Sequence, residues 1–505
     1  VRRRIAWAFA ALAAGSLLSL AACSSEKDRL ASHLANAQKY TEAGKTKEAL
    51  LELRSALQLD PKNADVNFRI AEILAQEGKY ADAAFFYREC SRLDPKRTDA
   101  MMAEAKIVMF DDTPRAEELI KKVLESEPGN ATAYQRRSEI ALAANDADGA
   151  LQAALTAVEL NPKDPMSFMQ LGIVHQARIR QARIKKGKPT DDMFQAAIDA
   201  FRKADELFGG GTNSRVEIGR VYAQWPDHGK EAEAAFRSAV EATQDPDPRG
   251  RAAAVAAEYA RGTGNLELLQ WSLEQMVEAA PADLDAWDEL ATIEERKRAG
   301  SGDAVYKRLL DQRPQDEDAH VRFARFLEAT NRLDEGLAHL EAQANGGADP
   351  PVALEAISGL QLGRGQVKAA REAVDRLEKQ YPSSSQTALA RGRLALSEQR
   401  YDDAAESLRK YVGQEQTVEG QRLLALAELG RRNYPASAAA VDAALQIADS
   451  TKTPDLLRLK AGIHDNAGDA HQVIATLNKL RRQGGWQPLD RLLYARALYA
   501  TGRAP

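Results

Sequence analysis

The sequence predicts an all-α solenoid, a stack of antiparallel helix pairs, and three observations carry that prediction. Four prolines, Pro61, Pro95, Pro128 and Pro162, follow one another at intervals of 34, 33 and 34 residues. Small or apolar residues recur five, eight and twelve positions before each: Ala56, Leu53 and Ala49; Cys90, Tyr87 and Ala83; Val123, Ile120 and Ala116; Ala157, Ala154 and Ala150. Spacings of three and four put each trio on one helical face. The chain's 505 residues exceed what one globular core accommodates, whereas a row of stacked pairs has no such ceiling.

The other helix of each pair is read from a second trio: His33, Ala37 and Tyr40 in the first unit, Asn67, Ala71 and Leu74 in the second, Tyr134, Ser138 and Ala141 in the fourth. Between the two helices lie short breaks, Ala43-Gly44-Lys45 and Glu77-Gly78-Lys79, whose glycine can take the left-handed conformation that ends a helix. Each unit is then helix, turn, helix and proline-marked turn. Alanine where two helices cross lets their axes approach, and a Tyr or Leu opposite fills the hole.

This pattern resembles the tetratricopeptide repeat (TPR) family, in which a small residue stands in the first helix, an alanine opens the core face of the second, and a proline closes the unit. Ala71, Gly78, Tyr80, Ala83, Tyr87 and Pro95 carry it most fully. The resemblance implies a right-handed superhelix whose first helices line a concave surface for an extended peptide or a partner helix.

Before the repeats, Arg2, Arg3 and Arg4 precede an apolar run from Ile5 to Ala22, the layout of a secretory signal over residues 1–22, with Val1 as an alternative start. The run ends Leu20-Ala21-Ala22-Cys23, which resembles the bacterial lipoprotein box. That resemblance implies acylation of Cys23, a lipidated tether over residues 23–29 and, with Ser24 in place of Asp, an outer-membrane anchor facing the periplasm. An uncleaved membrane anchor is the alternative, since about 18 apolar residues approach the spanning minimum.

Five repeats are expected over residues 30–208. The fifth starts with Phe168, Gly172 and His175, but its second trio, Ala197, Phe201 and Ala204, comes 13 residues late. The insertion, residues 176–190, holds Arg178, Arg180, Arg183, Lys185, Lys186 and Lys188. Ile173, Ala177 and Ile184 read as the continuing apolar stripe of a lengthened helix that ends at Gly187-Lys188-Pro189. The basic run either meets anionic lipid or an acidic polymer, or is a solvated helix face. Gly209-Gly210-Gly211 reads as a joint at residues 209–213, and residues 214–505 as a degenerate second block, about 13 units in all. At its end, Leu489 to Ala500 looks like a first helix with Ala495 and Leu498 on its core face and no partner after it, the expectation being a truncated array.

Totals narrow the function. The formal charge is −5, and removing three arginines with residues 1–22 gives −5 − 3 = −8, which disfavours nucleic acid. Two cysteines, Cys23 and Cys90, exclude a disulfide framework. Cys90 reads as a buried structural thiol. The histidines, His33, His175, His228, His320, His339, His464 and His471, form no metal motif, and no cofactor is expected. Asp111-Asp112 and Asp402-Asp403 stand at helix starts, where carboxylates favour the dipole. Trp287 reads as core; Trp271 and Trp486 are open between core and surface.

The expectation is a non-catalytic interaction scaffold. A hidden catalytic module, the competing class, needs roughly a hundred non-repeat residues. Overall layout resembles the TPR lipoproteins of exopolysaccharide export and of the exosortase (PEP-CTERM) surface-protein system; assembly factors for outer-membrane barrels or type IV pili are the alternative. Asn36 and Asn67 are the positions expected to face the concave groove.

Overall fold

The structure is a computed structural model that describes residues 26–185, 187–449 and 451–502. Residues 1–22 and Cys23, with the expected signal and lipid site, lie outside them. The described residues form 27 α-helices and no strand, in two compact units that divide between Ala280 and Pro281.

In the first unit, α1 (Glu26–Glu42) pairs with α2 (Thr46–Leu59), α3 (Ala64–Gln76) with α4 (Tyr80–Leu93) and α5 (Thr98–Val108) with α6 (Thr113–Ser126). Then come α7 (Ala131–Ala143) with α8 (Ala147–Leu160), α9 (Pro165–Ile184) with α10 (Asp191–Phe208), α11 (Thr212–Gln224) with α12 (Gly229–Glu241) and α13 (Pro246–Thr263) with α14 (Leu266–Ala279). The second unit holds α15 (Leu284–Lys297) with α16 (Gly302–Gln312), α17 (Glu317–Ala329) with α18 (Leu333–Gly346) and α19 (Pro350–Gly363) with α20 (Val367–Gln380). It continues through α21 (Ser385–Ser397) with α22 (Tyr401–Gln414), α23 (Val418–Gly430) with α24 (Tyr434–Ile447), α25 (Thr453–Asn466) with α26 (Ala470–Arg482), and α27 (Pro488–Ala500), which packs on α26.

The alanines that define the period sit at the helix crossings: Ala49, Ala83, Ala116 and Ala150 have no accessible surface. Each proline also sets a cap two residues on. Asn63, Asn130, Asp164, Asp283 and Asp316 accept a backbone N–H from the first turn of the helix they precede, so chain reversal and helix start are encoded together. Pro95 is the exception, because Arg97 stands at the cap position and ion-pairs with Asp65 and Asp99 instead.

Three expectations about which residues are buried are corrected. On α9 the buried edge after Gly172 runs through Val174 and Ile179, while Ile173 is 37% and Ile184 80% exposed. Contact with Phe194 and Ile198 of α10 rotates the buried face away from the expected stripe. On α27, Ala497 is buried and Ala495 exposed. Asn67 is 4% exposed, its amide donating to the Asn63 carbonyl at 2.9 Å, so it belongs to the core, whereas Asn36 is exposed. The stretch read as a joint lies inside the first unit: Gly209 (φ 76°) caps α10, and Asp205 binds both the Gly211 N–H and Arg215 of α11.

Candidate partner-binding groove

Within each unit the first helices of several successive pairs touch, as α7 and α9, α11 and α13, and α19 and α21 do, whereas the second helices do not to a comparable degree. The first helices therefore form the inner row. In the first unit that row opens into a hollow of about 940 Å³ between α3, α5 and α7, floored by α4. Ala75, Ala81, Ala84 and Ala103 leave the floor without long side chains. Met102, Ile107, Met109 and Phe110 wall one side and Tyr80 the other; Phe110 is 75% exposed and Tyr80 60%. Methionine walls adapt to what enters, because an unbranched thioether side chain repacks at little cost. Lys106, Asp111 and Arg136 put charge at the rim. A second hollow, about 710 Å³ between α6, α7 and α8, is lined by Glu117, Lys121, Glu125 and Arg137 and offers far less apolar surface.

Local sequence explains the apolar wall. The α5–α6 turn lacks the left-handed glycine that Gly44 and Gly78 supply in the first two pairs, and four residues, Met109 to Asp112, make the reversal with Phe110 at its tip. Asp112 caps α6 through the Arg115 N–H at 3.1 Å. Beneath the wall, Glu104 occupies the offset from Pro95 that Ile70 occupies from Pro61, and it is fully buried. Arg88 of α4 at 3.1 Å and Arg115 of α6 at 3.2 Å neutralise it, tying three helices together under the groove. At the floor, burial and then the hydrogen bond that its hydroxyl donates to Glu72 raise the Tyr87 pKa.

The second unit's inner row carries charge that is paired internally. Arg322 of α17 binds Asp285 at 2.7 Å and Asp288 at 2.5 Å on α15. Arg393 of α21 binds buried Glu355 of α19 at 2.5 Å and Glu419 of α23 at 3.5 Å. These ion pairs join successive first helices.

Of the residues singled out in the sequence, Cys90 is buried and its thiol is pushed up to about 11 by that burial, which keeps it protonated. Trp287 is 1% exposed, its indole donating to the Pro281 carbonyl at 3.1 Å. Trp271 lies under Arg237 at 4.6 Å, and Trp486 donates to the Leu477 carbonyl at 3.2 Å. Asp402 and Asp403 pair with Arg431 and Arg400. His33 meets Glu52 at 2.5 Å. Among the described residues, no three His, Cys, Asp or Glu side chains gather as metal ligands, and no helix is long and apolar enough to cross a membrane.

One histidine pair is brought together across the α17–α18 turn. His320 Nε2 lies 3.1 Å from the Pro314 carbonyl and can only donate there, so in the neutral pair its Nδ1 accepts from His339 Nε2 at 2.9 Å. Burial, then the His320 ring, pushes His339 down to about 4. The unfolded chain, with an ordinary value of about 6.5, binds more protons between those limits, so this pair's stability is full above pH 6.5 and falls as pH drops towards 4. Urea midpoints measured from pH 7.5 to 4.5 are expected to fall less steeply in His339→Phe than in the unaltered chain; equal slopes would refute the assignment.

Sequence profiles of the tetratricopeptide repeat match residues 40–107, 111–165, 360–419 and 389–453. No curated protein sequence matches. Among solved structures, a tetratricopeptide repeat protein from Parabacteroides merdae is 12% identical, covering 52% of this chain and 98% of its own at a TM-score of 0.41. The Naa15/Naa10 structure with HypK-THB is 16% identical over 89% of this chain and 68% of that one, TM-score 0.42. MamA from Desulfovibrio magneticus RS-1 is 19% identical over 36% of this chain and 96% of its own, TM-score 0.31.

Proposed function

We infer, from a chain that is an all-α solenoid carrying tetratricopeptide repeats, that it is a non-catalytic scaffold whose first-unit groove takes an apolar side chain from a partner protein. The observation that carries this reading is the open hollow between α3, α5 and α7, where Met102 and Phe110 stand over an alanine floor. Exposed apolar side chains around a concavity of this kind gain by covering one another, and a few such anchors dominate an interface. A partner segment, extended or helical, would lay one apolar residue into the hollow and meet Lys106, Asp111 and Arg136 at the rim.

The same reading places the scaffold in the bacterial envelope, held at the outer membrane by lipid on Cys23 and serving exopolysaccharide or exosortase-dependent surface-protein export. What supports this part is the sequence alone: three arginines, the apolar run to Ala22 and the box ending at Cys23.

A photo-crosslinking residue in place of Tyr80, in intact cells, tests the reading. It is expected to capture one envelope protein, and the double variant Met102→Glu/Phe110→Asp to reduce that capture about a hundredfold, since two anchors worth about 1.5 kcal/mol each are lost. Helical content should be unchanged. Capture that is equal in the two proteins refutes the groove, and a captured protein with no place in surface export refutes the pathway.

A further inference from the structure

The lengthened helix α9 and its loop present a second feature that the scaffold reading does not use. From Ile179 to Asp192 the chain carries five cations, Arg180, Arg183, Lys185, Lys186 and Lys188, against two carboxylates, Asp191 and Asp192, a local charge of 5 − 2 = +3 in a chain whose total is −5. The structure separates the cations by role. Arg178 lies 3.6 Å from Asp148. Arg183 donates to the Gln224 carbonyl and stands 6.0 Å over the Phe194 ring. Phe194 stacks on Trp225, whose indole N–H binds Asp191 at 2.8 Å and whose ring also stacks with His228 at 4.0 Å and Tyr222 at 6.1 Å. Those contacts fasten the insertion at Arg183 and Asp191 to α10 and α11.

Beyond the fastening, Arg180, Lys185 and Lys188 are exposed with no acidic partner among the described residues, and between them Ile184 is 80% exposed. A solvated helix face accounts for the cations, and Ile184 is among the most exposed of the large apolar side chains described. A large aliphatic side chain flanked along the sequence by lysine and arginine suits a bilayer surface, where the cations meet anionic headgroups and the side chain enters the acyl boundary. A hydrated acidic polymer would neutralise the charge and give Ile184 nothing apolar to enter.

We propose that Arg180, Lys185 and Lys188 at the end of α9 and just after it, with Ile184 as the wedge, dock on an anionic phospholipid bilayer. The interaction is peripheral, and lipid on Cys23 or the apolar run before it is a separate attachment. The proposal rests on the envelope reading only for the presence of a bilayer, and the groove reading stands or falls without it.

The test uses the full chain with Cys23→Ser and Ile184→Cys, labelled at position 184 with an environment-sensitive dye; Cys90 is buried and does not react. On vesicles of phosphatidylglycerol and phosphatidylcholine the dye is expected to shift to the blue and to be quenched by bromine on the acyl chains. Charge reversal at Arg180, Lys185 and Lys188 to glutamate is expected to weaken that response roughly a hundredfold or more, at about fivefold per cation removed. Lys121→Glu, away from the tip, should leave it unchanged. A dye response as strong on pure phosphatidylcholine, no response on either vesicle, a response unaltered by charge reversal, or a response to soluble polyphosphate without one to vesicles would overturn the proposal. Loss of groove capture in the Met102→Glu/Phe110→Asp variant with a normal dye response separates failure of one reading from failure of the other.

Discussion

Phe201→Ala is expected to destabilise the first unit by about 3–5 kcal/mol, the range for removing a fully buried aromatic ring. The ring has no accessible surface and packs with Ile179, Phe194, Ile198, Ile218 and Val221. It lies so close over Gly172 that a Cβ there would sit 2.5 Å from a ring carbon. The same contact recurs at Gly219 under Phe236, at 2.6 Å, and at Gly392 under Leu408, at 2.5 Å, so glycine in the first helix admits a large side chain from the second. Gly172→Ala should therefore cost about 1–3 kcal/mol by overpacking in the unaltered chain and far less in Phe201→Ala, where the ring is gone. A double-mutant cycle by urea denaturation measures the coupling; additive costs would show that the ring and the glycine do not act as a unit. Because each pair in such an array leans only on its neighbours, hydrogen exchange should speed up in α9 to α11 before it does in α1 and α2.

Arg393→Ala is the second large effect. Glu355 is buried, and burial outweighs the neighbouring Arg393 and Arg325 to hold its pKa above the usual 4.5. Removing Arg393 strands that carboxylate, a loss of about 3–5 kcal/mol at neutral pH. The pH dependence follows from the sign of the shift. An acid whose folded value is raised is protonated in both states below its unfolded value and loses stability as pH rises through the folded one. The deficit of Arg393→Ala should thus be largest at pH 7 and shrink towards pH 4.5, as read from paired urea midpoints. The double variant Glu355→Leu/Arg393→Met, with no buried charge, should recover most of the stability at pH 7. A deficit that does not vary with pH would mean that packing of the arginine stem, and not charge, is what the variant removes.

Which parts of this molecule can be read from the chain follows from the range of the interactions involved. The 34-residue period, the alanines at the crossings and the prolines at the reversals are local: each states a helix face or a turn within a few residues of itself, and Ala49, Ala83 and Ala150 lie where that spacing puts them. Trp287 and Cys90 were legible for the same reason, standing in slots whose neighbours in other units are large and apolar or small. Glu104 carried a signal that was missed, a charge in the slot Ile70 fills, and a charge there demands partners. Its partners, Arg88 and Arg115, belong to two different helices, and only lateral packing brings them within reach.

Helical periodicity and turn chemistry, written over stretches shorter than one unit, set the all-α class, the unit length, the pairing of helices and the residues at their crossings. Tertiary structure alone decided which side of α9 is buried, that Asn67 is core while Ile184 is exposed, that His320 and His339 share a proton donor chain, and that α3, α5 and α7 leave a hollow above α4. Those outcomes depend on how far one helix is turned and shifted against another, a degree of freedom that a small change in any contact resets and that no local spacing records.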